Sequence, residues 1–152
     1  MRIGITLLIF ASVLFTVVPQ EAAAIPKKFV VTIDSAEYGD LDNDTICDDV
    51  VVFFSAIIAD FIKSPQRSEF FFTLTLPSGH QLYALVIVIG HYRDIQLELH
   101  WFDCAWESGW YNVFVEAWAV GIKGGYDTDA LDFDPPTGGG RGDPSIKVML
   151  CE

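Results

Sequence analysis

The segment Asp94-Ile95-Gln96-Leu97-Glu98-Leu99-His100-Trp101 alternates apolar and polar residues without a break. Successive side chains of a β-strand point to opposite faces, so Ile95, Leu97, Leu99 and Trp101 share a buried face and Gln96, Glu98 and His100 a wet one. The same two-residue period, rich in β-branched and aromatic residues, recurs along most of the chain, and no twelve-residue stretch carries a 3.6-residue apolar stripe. This predicts strands over 28–34, 50–59, 69–76, 81–92, 95–103, 111–121 and 145–150, with a short eighth over 131–133. Val50–Phe54 and Ala84–Ile89 are apolar on both faces, the pattern expected of central strands covered on each side. Turn signals stand between the strands at Lys63-Ser64-Pro65, Leu76-Pro77-Ser78-Gly79 and Lys123-Gly124-Gly125. Seven or eight short strands in one chain of 152 residues imply an all-β domain built as two packed antiparallel sheets.

Met1-Arg2 is followed by an apolar run from Ile3 to Val18 and then by Ala22-Ala23-Ala24. The run falls short of the roughly 20 residues that cross a bilayer core, and the small residues suit a signal peptidase. Residues 1–24 are therefore expected to be a signal peptide and residues 25–152 the exported β-sandwich domain, with no membrane span once the signal is removed. The three cysteines, Cys47, Cys104 and Cys151, allow at most one intramolecular disulfide and form no CxxC pair.

The formal net charge of −12 excludes a nucleic-acid partner, because the chain has little with which to neutralise phosphates. Half of the residues are apolar and only 20% charged, which excludes a disordered acidic tail. The acid is local. Five aspartates lie between Asp40 and Asp49 and four between Asp127 and Asp134.

In the first group, Asp40, Asp42, Asp44 and Asp48 occupy positions 1, 3, 5 and 9 of a tight loop. Carboxylates so spaced converge on one point, which is costly unless a cation joins them. Calcium, which accepts six to eight oxygens in irregular geometry, suits such a loop better than magnesium. The segment resembles the aspartate-rich calcium loops of the DxDxDGxxDD type found in thrombospondin type 3 repeats, dockerins, EF-hands and secreted surface proteins. That resemblance implies Asp40, Asp42, Asp44, the carbonyl of Ile46 and Asp48 as ligands, with Asp49 as an additional carboxylate and the Ile46 side chain turned to the core. Two departures stand out: Thr45 replaces the glycine of the sharp turn, so the backbone there must differ or carry strain, and Val51 replaces the last glutamate of an EF-hand. The second group, Asp127, Asp129, Asp132 and Asp134, fits no known ion loop. With Asp127 and Asp129 in a loop and Asp132 and Asp134 on a short strand, it would complete the first site from across the fold or form a second one.

The run Glu107-Ser108-Gly109-Trp110-Tyr111-Asn112-Val113 resembles the Gly-x-Tyr corner at the start of strand F in immunoglobulin-like sandwiches. It implies that the Tyr111 hydroxyl bonds back to the upstream backbone and that Val113 stands where such domains carry a disulfide cysteine. Together with the export signal and the aspartate loop, the arrangement is similar to small archaeal cell-surface β-sandwich domains.

His80, His91 and His100 form no metal-ligand spacing, and neither a GxSxG nor a phosphate-binding glycine motif is present, so no catalytic residues are assigned. The expected protein is a secreted or cell-surface, calcium-stabilised immunoglobulin-like sandwich, a structural or adhesive module that meets a protein or polysaccharide and not an enzyme. A carbohydrate-binding module stacking sugars on exposed Trp106 and Trp110 is one alternative. A subunit of an extracellular filament or surface layer is another.

Overall fold

The computed structural model describes residues 27–60, 62–135 and 143–151, so the expected signal segment lies outside the described residues. The alternating segments form strands β1 (Phe29–Gly39), β2 (Asp49–Ile58), β3 (Arg67–Thr75), β4 (Gln81–Ile89), β5 (Asp94–Phe102), β6 (Tyr111–Ala119), β7 (Tyr126–Phe133) and β8 (Ser145–Leu150). They build two four-stranded sheets, ordered β1-β2-β5-β8 and β4-β3-β6-β7, with every neighbouring pair antiparallel. The described residues contain no helix, and hence none long and apolar enough to cross a membrane.

The inward faces meet in one core. Phe54 of β2 packs edge-on against Phe70 and Phe72 of β3, with ring centroids 5.0 and 5.1 Å apart. Ile95, Leu97, Leu99 and Trp101 are buried, while Gln96 on the opposite face is exposed and Glu98 and His100 are half-buried, as their alternation requires. For Val50–Phe54 the central position holds, since β2 lies between β1 and β5 and Val50, Val51, Val52 and Phe54 are buried, whereas Phe53 on the outer face is half-buried.

Ala84–Ile89 behaves otherwise. Strand β4 has a partner only in β3 and forms an edge of its sheet. Its inward row, Leu82, Ala84, Val86 and Val88, meets the core, but the other row stands in solvent. Apolar residues on both faces therefore do not mark a central strand here.

The eighth strand is longer than its three-residue prediction, because Tyr126–Phe133 pairs with β6 along its whole length. This moves Asp127 and Asp129 out of the expected loop and into a ladder, where they stand opposite the inward-facing Ala117 and Val115. Acid on an inward face is tolerated because β1 lies alongside. Asp127 Oδ2 accepts the backbone N–H of Val31 at 3.2 Å, and Asp129 Oδ2 accepts that of Ile33 at 2.8 Å. Lys27 Nζ, 2.7 Å from Asp127 Oδ1, balances the more buried charge. The carboxylates stand in for the carbonyls of a missing neighbour and close the edge of β1 to other strands.

Replacing Asp127 by Ala leaves the Val31 N–H without its acceptor and is expected to cost about 1–3 kcal/mol of unfolding free energy. Asp132→Ala, at an exposed residue bonded to the Asn112 side chain, should stay within about 0.5 kcal/mol. Urea titration of both variants checks this; equal losses would mean that Asp127 does not hold the edge.

Candidate metal centre

Strands β1 and β2 pair up to Gly39 and Asp49, so residues 40–48 are the connection of one antiparallel hairpin. The register returns Asp48 and Asp49 to the side of Asp40. Strand β5 runs beside β2 with Val50 opposite Trp101, which carries the chain after β5 to the same end of the sandwich and delivers Asp103 there. Six carboxylates gather as a result. Ligand oxygens lie within 4.8 Å of one another in three overlapping sets: Asp40, Asp42 and Asp49; Asp42, Asp44 and Asp103; Asp48, Asp49 and Asp103.

Backbone amides organise the loop around these acids. Asp40 accepts the N–H of Asp44 at Oδ1 and that of Thr45 at Oδ2, both at 3.0 Å. Asp42 Oδ1 accepts from Asp44 at 3.1 Å and Asp44 Oδ1 from Ile46 at 2.7 Å. This wrapping places Asn43 at φ 65° and Thr45 at φ 77°. Asparagine tolerates the left-handed region, but a β-branched residue there stores roughly 1–3 kcal/mol of strain. Of the two outcomes open for a loop with Thr45 in the glycine position, the strained one is realised.

Asp49 has a different part. Its side chain is buried at 1% exposure and spans two connections. Oδ2 accepts the N–H of Leu41 at 2.6 Å and of Asp42 at 3.3 Å, while Oδ1 accepts that of Asp103 at 2.9 Å. The Asp48 carbonyl ties the same two segments, accepting from Cys104 at 2.9 Å and Ala105 at 2.7 Å.

The Asp48 side chain is equally buried, also at 1% exposure, yet among the described residues no donor reaches its Oδ2. An unpartnered buried carboxylate oxygen is expensive, and here it stands in a cluster with Asp49 and Asp103. Burial, and then the charges of Asp103, Asp49 and Asp44, push the Asp48 carboxyl above its ordinary range. For Asp42, which is exposed, the hydrogen bond from the Asp44 amide pulls down, but some desolvation and the charges of Asp44, Asp49 and Asp103 together outweigh it and the carboxyl is raised. The donor set consists of carboxylates alone. Cys104, buried nearby, is a poor thiolate ligand because burial and the adjacent Asp49 and Asp48 push its thiol far up. Oxygen-only coordination in an irregular loop fits a hard cation such as calcium and does not fit zinc.

The other expected site residues lie elsewhere. Ile46 is half-buried and outside the core cluster, so its side chain does not make the anticipated tuck into the core. Asp127 and Asp129 are engaged with β1, Asp132 bonds Asn112, and Asp134 is exposed beyond the end of β7. Trp110 is 67% exposed, whereas Trp106 is half-buried, packs on the core and lies 6.4 Å from the His80 ring. The two indoles therefore do not present a matched pair of open faces. Tyr111 is fully buried, and its hydroxyl donates to the Glu107 carbonyl at 3.0 Å and accepts the Glu107 N–H at 2.8 Å, which is the expected corner. Gly109, at φ 122° and against Pro77, supplies a backbone conformation that a side chain would strain. Asp103 escaped the sequence analysis. Its signal was its place at the end of the alternating segment, one strand over from the loop.

Compared with protein-family models, curated proteins and solved structures, the chain matches none.

A carboxyl raised in the fold holds its proton more tightly there than in the unfolded chain. Its contribution favours the fold below the ordinary value of 3.8 and is lost as pH rises through the folded value. With chelator present, Asp48→Asn should therefore melt above the wild type at neutral pH, and the gap should close on acidification. Thermal melts of both proteins across pH decide this; an Asn variant that melts lower at neutral pH in chelator contradicts it.

Proposed function

We propose that the chain is an exported, calcium-stabilised, immunoglobulin-like β-sandwich, a non-enzymatic structural or adhesive module of a cell surface similar to those of archaea. The observation that carries the reading is the buried, donorless Asp48 oxygen beside Asp49 and Asp103. A cation held where the sets Asp42, Asp44 and Asp103 and Asp48, Asp49 and Asp103 overlap, with Asp40 beside them, relieves both the unmet oxygen and the mutual repulsion of the acids. It joins the β1–β2 connection to the segment after β5, so its binding energy becomes stability of the folded state.

The immunoglobulin-like part of the reading rests on strand order. β1-β2-β5 and β3-β6-β7 follow the A-B-E and C-F-G runs of such domains, and the tyrosine corner stands at the start of β6, the counterpart of strand F. Two features differ: β4 pairs with β3, and β8 takes the place beside β5.

Saturating calcium should raise the melting temperature by roughly 5–15 °C over chelator. The double variant Asp42→Ala with Asp44→Ala, and separately Asp103→Asn, should lose most of that rise while keeping a melt close to the wild type in chelator. Calorimetric titration with calcium supplies the independent measure. Neither heat nor a change in melting at millimolar calcium would end the cation reading.

A further inference from the structure

The six acids at the loop end do not form one set. Asp42, Asp49 and Asp103 each belong to two of the three groups and Asp40, Asp44 and Asp48 to one each. The cluster is therefore a central triangle of Asp42, Asp49 and Asp103 with a further acid on each side, which makes three lobes. Calcium holds its oxygens at about 2.3–2.6 Å, so any two oxygens on one ion stand within about 5 Å of each other. The oxygens of each lobe meet that limit, lying within 4.8 Å of one another, but no set holds Asp44 and Asp48 together.

The lobes also differ in what already satisfies them. In the lobe of Asp40, Asp42 and Asp49, Asp40 accepts an N–H at each oxygen and Asp49 Oδ2 accepts two, so backbone amides take up most of its lone pairs. The other two lobes are short of donors. Asp48 Oδ2 is buried and has none, and among the described residues the Asp103 carboxylate, common to both lobes, accepts no hydrogen bond. None of the six acids forms an ion pair among the described residues.

We propose that the two donor-poor lobes hold one divalent cation each, an inner ion on Asp48, Asp49 and Asp103 and an outer ion on Asp42, Asp44 and Asp103, with the Asp103 carboxylate bridging them. The inference rests on the cation reading and adds to it the number of ions and the residue they share. The buried, unmet Asp48 oxygen marks the inner position, and Asp49 Oδ1, which accepts only the Asp103 N–H, keeps a lone pair for it. Asp42 and Asp44 are exposed, so the outer ion keeps water among its ligands. Charge asks for both. One divalent ion leaves four of the six carboxylate charges uncompensated, and two ions leave two. The shared carboxylate couples the ions: whichever binds first fixes Asp103 for the other and lowers the ordering cost of the second step.

Calorimetric titration with calcium, with equilibrium dialysis as a direct count, tests the number. Two ions per chain are expected. Asp44→Asn keeps an oxygen to accept the Ile46 N–H, and Asp48→Asn keeps the size of the buried side chain. Each should retain the wild-type circular dichroism in chelator and bind a single ion, with a dissociation constant raised about fivefold or more by the lost coupling. Asp103→Asn should bind none at calcium concentrations that fill the wild type. A wild type that binds one ion overturns the proposal and leaves the cation reading standing, whereas a wild type that binds none ends both. Two ions persisting in Asp44→Asn or in Asp48→Asn would place an ion outside these lobes and overturn the proposal as well.

Discussion

The end of the sandwich that holds the acids is organised by one buried carboxylate. Asp49 takes backbone N–H groups from Leu41, Asp42 and Asp103, and so joins a hairpin connection to the segment after β5 that is more than fifty residues away in sequence. Three charge-assisted hydrogen bonds to one buried side chain are a strong local restraint. They act against a strong opposing force, since five further aspartates stand in the same region. The loop thus has its shape determined by amide donors and its cost determined by like charge. Thr45 at φ 77° adds to that cost without any glycine to soften it. A cradle that is organised, strained and self-repelling is relieved when something positive enters it, and this is the physical content of the calcium proposal.

The two acidic groups solve different problems with the same side chain. Asp127 and Asp129 are spaced at two residues, which on a strand places both on one face, and each meets an N–H of β1 that the sheet leaves free. Asp40, Asp42 and Asp44 are also spaced at two, but on a tight hairpin connection, where the same spacing converges instead of aligning. Backbone geometry therefore decides what the period means. One group becomes edge protection and the other a candidate ligand set.

That distinction bounds what was legible in the sequence. Most strand positions were, because the alternation is strong along the chain and the inward rows of β1 to β7 contribute to a single core, although β7 was read only over its last three residues. The aspartate loop was legible as well, since its spacing is local. Three things depended on long-range pairing and were not. Asp103 joins the acids only because β5 runs beside β2 with Trp101 opposite Val50. The role of Asp127 and Asp129 follows from β1 lying across the sandwich edge, a neighbour no local pattern announces. The position of β4 at an edge was masked by its composition, because an apolar row reads the same whether a helix, a sheet or another molecule covers it.

Edge and centre separate only when the hydrogen-bonding partners are counted, and the count makes β4 the exception among the edges. Three of them carry charge in or beside the ladder, as expected where strand addition is suppressed. On β4 the suppression is absent over nine residues in a protein that otherwise spends acid freely. The asymmetry is that of a molecule with one side closed against strand pairing by aspartates and the other left uncharged and open.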